Sequence, residues 1–163
     1  MQIIQSFLKK RGIIGPWGID PPPRKKFHQA VVIPAFGEAD LLPQTLASLD
    51  ANNSAILKET LVTIVVNNAS DTPEPIQNDN QITLQTMKTS DHLFILGIVD
   101  AASQGLELPA KQAGVGLARK IGMDLTLPHL SSSKSLIYCT DADTTVDKKY
   151  LERVLNYFRE NEA

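Results

Sequence analysis

Two runs of β-branched and aliphatic residues constrain this chain most. Ala30-Val31-Val32-Ile33 and Leu61-Val62-Thr63-Ile64-Val65-Val66 are continuous, with no regular polar alternation. A strand with one wet face alternates polar and apolar side chains, so an uninterrupted run reads as a strand covered on both faces. Leu93 to Val99 and Leu136-Ile137-Tyr138-Cys139 read as two further strands. Between them lie apolar positions at helical spacing. Leu42, Leu46 and Leu49 form one set, with Asp40 as a cap and Pro43 in the first turn. A second helix is predicted over Gln112 to Leu125. A third opens at Val146-Asp147, with Asp147 as N-cap and Tyr150, Leu151, Val154, Leu155 and Phe158 as its stripe. The polar stretch Asp71 to Asp91, with Pro73 and Pro75, reads as a long loop holding a short strand at Ile82 to Gln85. Strand alternating with helix predicts an α/β fold, a mainly parallel Rossmann-like sheet with helices on both faces.

Size and charge narrow the function. The chain has 163 residues, enough for one ordinary domain. Its formal net charge is -2, which gives no field to hold nucleic acid, so no nucleic-acid partner is expected. Cys139 is the lone cysteine, so neither an internal disulfide nor a cysteine zinc site can form, and a cytoplasmic setting is expected. No apolar run is long enough to span a bilayer, and the N-terminus lacks a signal-peptide pattern.

Residues 1–28 read as an arm ahead of the domain over 29–163. Ile3, Ile4, Phe7 and Leu8 fit one helical face and Lys9-Lys10-Arg11 follow; Gly15-Pro16-Trp17-Gly18 and Pro21-Pro22-Pro23 then break regular structure. The segment is short and modestly basic, so packing on its own domain or a neighbour is preferred over a membrane-surface anchor at the inner face.

In open parallel sheets ligands bind beyond the carboxyl ends of the strands. Here those ends read Pro34-Ala35-Phe36-Gly37-Glu38, Asn67-Asn68-Ala69-Ser70-Asp71 and Thr140-Asp141-Ala142-Asp143-Thr144. They bring an aromatic ring, amides, a hydroxyl and several carboxylates to one crevice. Asp141 and Asp143, one residue apart past an apolar strand, point to one region if the backbone stays extended. Paired carboxylates suit Mg²⁺ or Mn²⁺, hard ions that keep positions open for phosphate oxygens. A polar turn whose Asp side chains cap the next backbone groups is the competing reading.

Four segments, in order, resemble family 2 glycosyltransferases. Val32 to Glu38 is similar to the family's opening strand, V-I-P-x-[YF]-N-E. Ile64 to Asp71 looks like its second strand and D-[DN]-x-S turn. Gly114-Val115-Gly116-Leu117-Ala118-Arg119-Lys120-Ile121-Gly122 resembles its G-x-x-x-A-R-N-x-G helix, and Ile137 to Asp143, followed by Tyr150-Leu151, its metal-binding strand and next helix. The resemblance implies a GT-A nucleotide-diphosphosugar fold and a nucleotide-diphosphate sugar as donor. It implies that Pro34, Ala35, Phe36 and Glu38 line the pocket, with Phe36 against the base, and that Asn68 reads the base. It implies Arg119 and Lys111 on the diphosphate side, Asp141 at the ribose or metal, and Asp143 as ligand to Mn²⁺ or Mg²⁺. Asn67-Asn68 departs from the family's acidic pair, Gly37 and Lys120 from its asparagines.

The family continues beyond this point into a half that binds the acceptor and supplies its base. No segment here reads as that half, so the chain is expected to carry the donor-binding half of a longer domain, with the acceptor unknown. The implied chemistry is inverting displacement by an acceptor hydroxyl. Two other readings are a non-catalytic nucleotide-sugar-binding module and a sugar-phosphate nucleotidyltransferase. The latter needs a glycine-rich basic loop after the first strand, which Pro34 to Glu38 is not.

Overall fold

The computed structural model describes residues 2–161; Met1 of the arm and Glu162 and Ala163 of the domain lie outside the described residues. Four parallel strands form one sheet in the order β3-β2-β1-β4. They are β1 (Gln29–Ala35), β2 (Thr60–Asn67), β3 (Ile95–Ala101) and β4 (Leu136–Cys139). The two continuous apolar runs occupy the centre, and every residue of β1 and β2 is buried. β1 continues one residue past Pro34. β4 stops at Cys139 opposite Val32, so Pro34 lies where β1 keeps one neighbour, a position that tolerates the missing N–H.

Successive side chains separate onto two faces. Val31, Ile33, Val62 and Ile64 pack against α2 (Leu42–Asp50), α4 (Glu74–Thr89) and α6 (Tyr150–Glu160), through Leu46, Leu84 and Leu151 among others. Val65 and Val99 face α5 (Val115–Thr126), through Ala118 and Ile121. Gly122 lets α5 settle closely, because a Cβ there would stand 2.5 Å from Val32 Cγ1 and 2.9 Å from Val65 Cγ2. A short turn, α3 (Ser54–Leu57), links α2 to β2, and the 3-10 turn Leu127–His129 follows α5.

The first residues form α1 (Gln2–Arg11), and the next ones lie on the domain. Ile13 N–H donates to Asp124 Oδ2 at 2.8 Å, and Trp17 Nε1 donates to the Leu106 carbonyl at 2.7 Å. Asp20 bridges Ile98 of β3 in antiparallel sense, and Phe27 bridges Leu130. Among the described residues no helix is long and apolar enough to cross a membrane.

Several local expectations are corrected. The stretch 71–91 is no long loop with a strand: Glu74–Thr89 is a four-turn helix with Pro75 in its first turn, and it turns Asn80, Thr83, Leu84 and Met87 inward. Half of that inward stripe is polar, which hides its helical period. Asp40 caps nothing, because α2 starts from Leu41 without a side-chain cap. Asp147 precedes α6, its carboxylate accepting Lys149 N–H and its carbonyl accepting Tyr150 N–H. His92, in the polar stretch before β3, is largely buried. Its Nδ1 lies 2.6 Å from Asp50 Oδ2, and its ring stacks on Phe94 at 4.6 Å.

Candidate functional site

All four strands run in one direction, so their carboxyl ends share an edge. A cavity of about 560 Å³ opens there, lined by residues from the β1, β2 and β4 ends and from the start of α5. The loops that wall it are held from behind by two helices. Asn80 of α4 is fully buried. Its Oδ1 accepts Gly37 N–H at 2.9 Å, and its Nδ2 donates to the Asn67 carbonyl at 3.1 Å and to Asn68 Oδ1 at 2.8 Å. Asp79, one residue earlier, accepts Ala39 N–H at 3.0 Å. Glu38 therefore sits between two clamped backbone amides. Gly37 takes φ +71°, a left-handed turn that a side chain disfavours, and this turn swings Phe36 and Glu38 over the strand end.

The loop after β4 is pinned by α2. The buried Thr45 hydroxyl donates to the Ala142 carbonyl at 2.7 Å, and Ser48 Oγ accepts Val146 N–H at 2.9 Å. Ala142 is buried while Asp141 and Asp143 are exposed. The small residue faces inward, and both flanking carboxylates line the cavity. An anchored turn thus brings both Asp residues to the cavity wall.

Charge is divided across the cavity. Arg119 Nη2 donates to Asp141 Oδ1. Arg119 Nε is shielded from water without a hydrogen-bond partner, an unusual state for a guanidinium donor. Gly114 and Val115, at the start of α5, lie on the cavity wall, and no side chain caps that helix end. Unpaired N–H groups and the helix dipole make such an end favourable to anions. Opposite lies negative charge. Burial, then Asp143, then Asp79 raise the Glu38 carboxyl above its ordinary value. Asp143 has one hydrogen bond among the described residues, from the adjacent Thr144 hydroxyl at 3.3 Å, so most of its acceptor capacity is free.

Of the residues singled out from sequence, Pro34, Phe36, Glu38, Asn68, Arg119, Asp141 and Asp143 line this cavity. Phe36 is 46% exposed and so is a surface ring on the wall, not core. Asn68 is only 1% exposed. Its Nδ2 donates to the Ala69 carbonyl and its Oδ1 accepts from Asn80, so its amide stabilises the wall and is not turned to a ligand. Ala35 is corrected: it is buried in β1, off the cavity wall, and its carbonyl accepts from Asn67 Nδ2 at 3.0 Å. Lys111 is also corrected: it is exposed in the segment before α5 and is not part of the lining. Sequence reasoning missed Thr72 and Ala113, which line the cavity, and Asn80 and Thr45, which support it. The backbone positions of Asn80 and Thr45 on helices facing the loops carry their roles, and no motif marks them.

Among the described residues no group of three His, Cys, Asp or Glu stands close enough to hold a metal ion. A pair of carboxylates nevertheless fits Mg²⁺ or Mn²⁺, which commonly take one or two protein carboxylates and complete their shell with phosphate and water.

No protein-family model matches the sequence. No curated protein matches it significantly either. Among solved structures, the chain is similar to a crystal structure of S. aureus TarS 1-349, with a TM-score of 0.55 and 18% sequence identity. The match covers 83% of this chain and 32% of that one, so this chain spans about a third of the TarS chain's length. At that identity the likeness shows the fold alone: a parallel α/β, Rossmann-like sheet flanked by helices.

Proposed function

We propose that the cavity binds a nucleotide-diphosphate sugar and that the protein works as an inverting, metal-assisted glycosyltransferase of the family 2 type. One observation carries the reading. Phe36, Arg119 with the open N-terminus of α5, and the Asp141/Asp143 pair, from three separate parts of the chain, all line one cavity at the carboxyl edge of the sheet.

Each group has a part to play. The Phe36 ring offers a flat apolar surface for the base. The diphosphate is held from one side by Arg119 and by the N–H groups at the start of α5, where guanidinium and helix end both favour anionic oxygen. Arg119 already bonds Asp141 through Nη2, so binding shares its donors between that carboxylate and the phosphate. Asp143, with Asp141 beside it, would hold Mn²⁺ or Mg²⁺, which when bound stabilises charge on the departing diphosphate as a Lewis acid. Glu38 shapes the field at the same wall, and its raised proton affinity makes the apo site resist further negative charge. In the proposed transfer an acceptor hydroxyl attacks the anomeric carbon, the bond to the diphosphate oxygen breaks, and configuration inverts.

Calorimetric titration of uridine, guanosine and thymidine diphosphate sugars, with and without Mn²⁺, tests this. At least one is expected to bind with an affinity that rises when Mn²⁺ is added. Absence of binding by all three, with metal present, would contradict the reading. Metal-dependent binding without transfer to any hydroxyl acceptor would favour a donor-binding module, and pyrophosphate release from nucleoside triphosphate and sugar-1-phosphate would favour a nucleotidyltransferase.

A further inference from the structure

The charge of this chain is unevenly distributed. Residues 1–28 hold Lys9, Lys10, Arg11, Arg24, Lys25 and Lys26 against the single acid Asp20, although the whole chain is net negative. The structure gathers part of that charge at one end. α1 packs beside the 3-10 turn Leu127–His129, and Lys26 Nζ donates to the Pro128 carbonyl of the same turn.

α1 is attached by one side only. Ile4 and Leu8 are half-buried, Lys120 Nζ donates to the Arg11 carbonyl at 2.9 Å, and the same ammonium lies 5.8 Å from the centre of the Phe7 ring. None of the helix's residues is fully buried. Away from that contact it presents Ile3 at 75% exposure, and Ile14 just beyond the helix is 95% exposed; Phe7, at the edge beside Lys120, keeps part of its ring in water. Lys9, Lys10 and Arg11, in the last turn of the helix between Ile3 and Ile14 along the chain, are all exposed. Apolar side chains left in water beside unopposed cations suit an interface that is both oily and negative. A protein surface could supply the oil, but three adjacent cations with no acid in the first nineteen residues match the headgroups of an anionic leaflet better.

The position is also favourable. α5 runs the depth of the domain, with its N-terminus at the cavity and its C-terminus at the turn on which α1 packs. Twelve helical residues span about 18 Å. A membrane under α1 would leave the cavity mouth facing water. We propose that the outer face of α1, with Ile14, is a docking surface for an anionic lipid bilayer. This face packs on the domain by its inner side and meets lipid by its outer side, so the arm does both. It does not depend on what the cavity binds.

Co-sedimentation of the full chain with phosphatidylcholine vesicles, with and without phosphatidylglycerol, is the test. Binding is expected only to vesicles containing phosphatidylglycerol, and it should fall as salt rises. Reversing Lys9, Lys10 and Arg11 to Glu should reduce partitioning by about a hundredfold or more, roughly what three cations near a charged leaflet contribute. Ile3→Ser combined with Ile14→Ser should also weaken it severalfold, and neither change touches a buried residue, so folding is preserved. Lys148→Glu with Lys149→Glu, on the exposed loop before α6, should bind like the parent. No binding to anionic vesicles overturns the proposal. So do equal losses from the Lys148/Lys149 pair, which would mean general charge attraction, or a lipid-free dimer that the Ile3/Ile14 variant dissolves. Nucleotide-sugar affinity should be unchanged in every α1 variant, so failure here is separable from failure of the donor-site reading.

Discussion

Asn80 accepts the Gly37 N–H at 2.9 Å from inside α4, and so one buried side chain holds the β1 loop in register with the β2 loop. Asn67 Nδ2 adds a second link between the two strand ends, donating to the Ala35 carbonyl at 3.0 Å. Asn80→Leu keeps the volume but leaves Gly37 N–H, the Asn67 carbonyl and Asn68 Oδ1 unsatisfied in a buried place. Stability is expected to fall by about 2–4 kcal/mol, measured by urea denaturation. Asn80→Asp keeps the Gly37 acceptor and loses both donated bonds while ionised. Its destabilisation should shrink at acid pH, where the protonated carboxyl recovers one donor.

α5 reaches the cavity only because it lies close on the sheet. Gly122→Ala would drive a methyl into Val32 and Val65, and overpacking of this kind costs about 1–3 kcal/mol. Thermal unfolding should show that loss. Because the N-terminus of the helix shifts with it, nucleotide-diphosphate affinity should fall too, although Gly122 is not part of the cavity lining.

Arg119 and Asp141 form an exposed pair, and such pairs add little to stability. Arg119→Met should leave the melting temperature nearly unchanged. It should weaken nucleoside diphosphate binding by about tenfold to a hundredfold, the usual range for a lost charge-assisted bond. Binding of the nucleoside alone should not change. Calorimetry on the two ligands separates a phosphate contact from a packing role.

Glu38 has a carboxyl raised above 4.5 by burial, then by Asp143 and Asp79. The folded chain therefore holds that proton at pH values where the unfolded chain has released it. Below the ordinary carboxylate range both states are protonated and Glu38 costs nothing. As pH rises through the raised value the folded state carries a charge it resists, and stability is lost. Glu38→Gln is expected to raise the melting temperature at neutral pH, with the gain vanishing in acid. A flat difference across pH would contradict this.

Much of the fold was legible because both central strands are covered on both faces, and continuous apolar runs state that directly. The cavity edge followed from strand direction alone. What escaped was α4. Its inward stripe contains Asn80 and Thr83, so the apolar period breaks where the helix has its structural work in binding loops. Asn68 lines the cavity as expected of a strand end, but its residue type gives no hint that Asn80 and Ala69 already hold its amide. His92 escaped because a histidine in a polar stretch gives no hint that Asp50 and Phe94 enclose it. Asp141-Ala142-Asp143 was readable because the alternation of exposed and buried residues is written in the residue sizes.

Backbone-amide NMR during titration with Mn²⁺ and a nucleoside diphosphate tests the central claim most directly. Paramagnetic broadening is expected to centre on Asp141, Asp143 and Glu38, to reach the start of α5, and to disappear in Asp143→Asn. Broadening centred elsewhere, or unchanged by that substitution, would contradict the assignment of this cavity as the cation-and-diphosphate site.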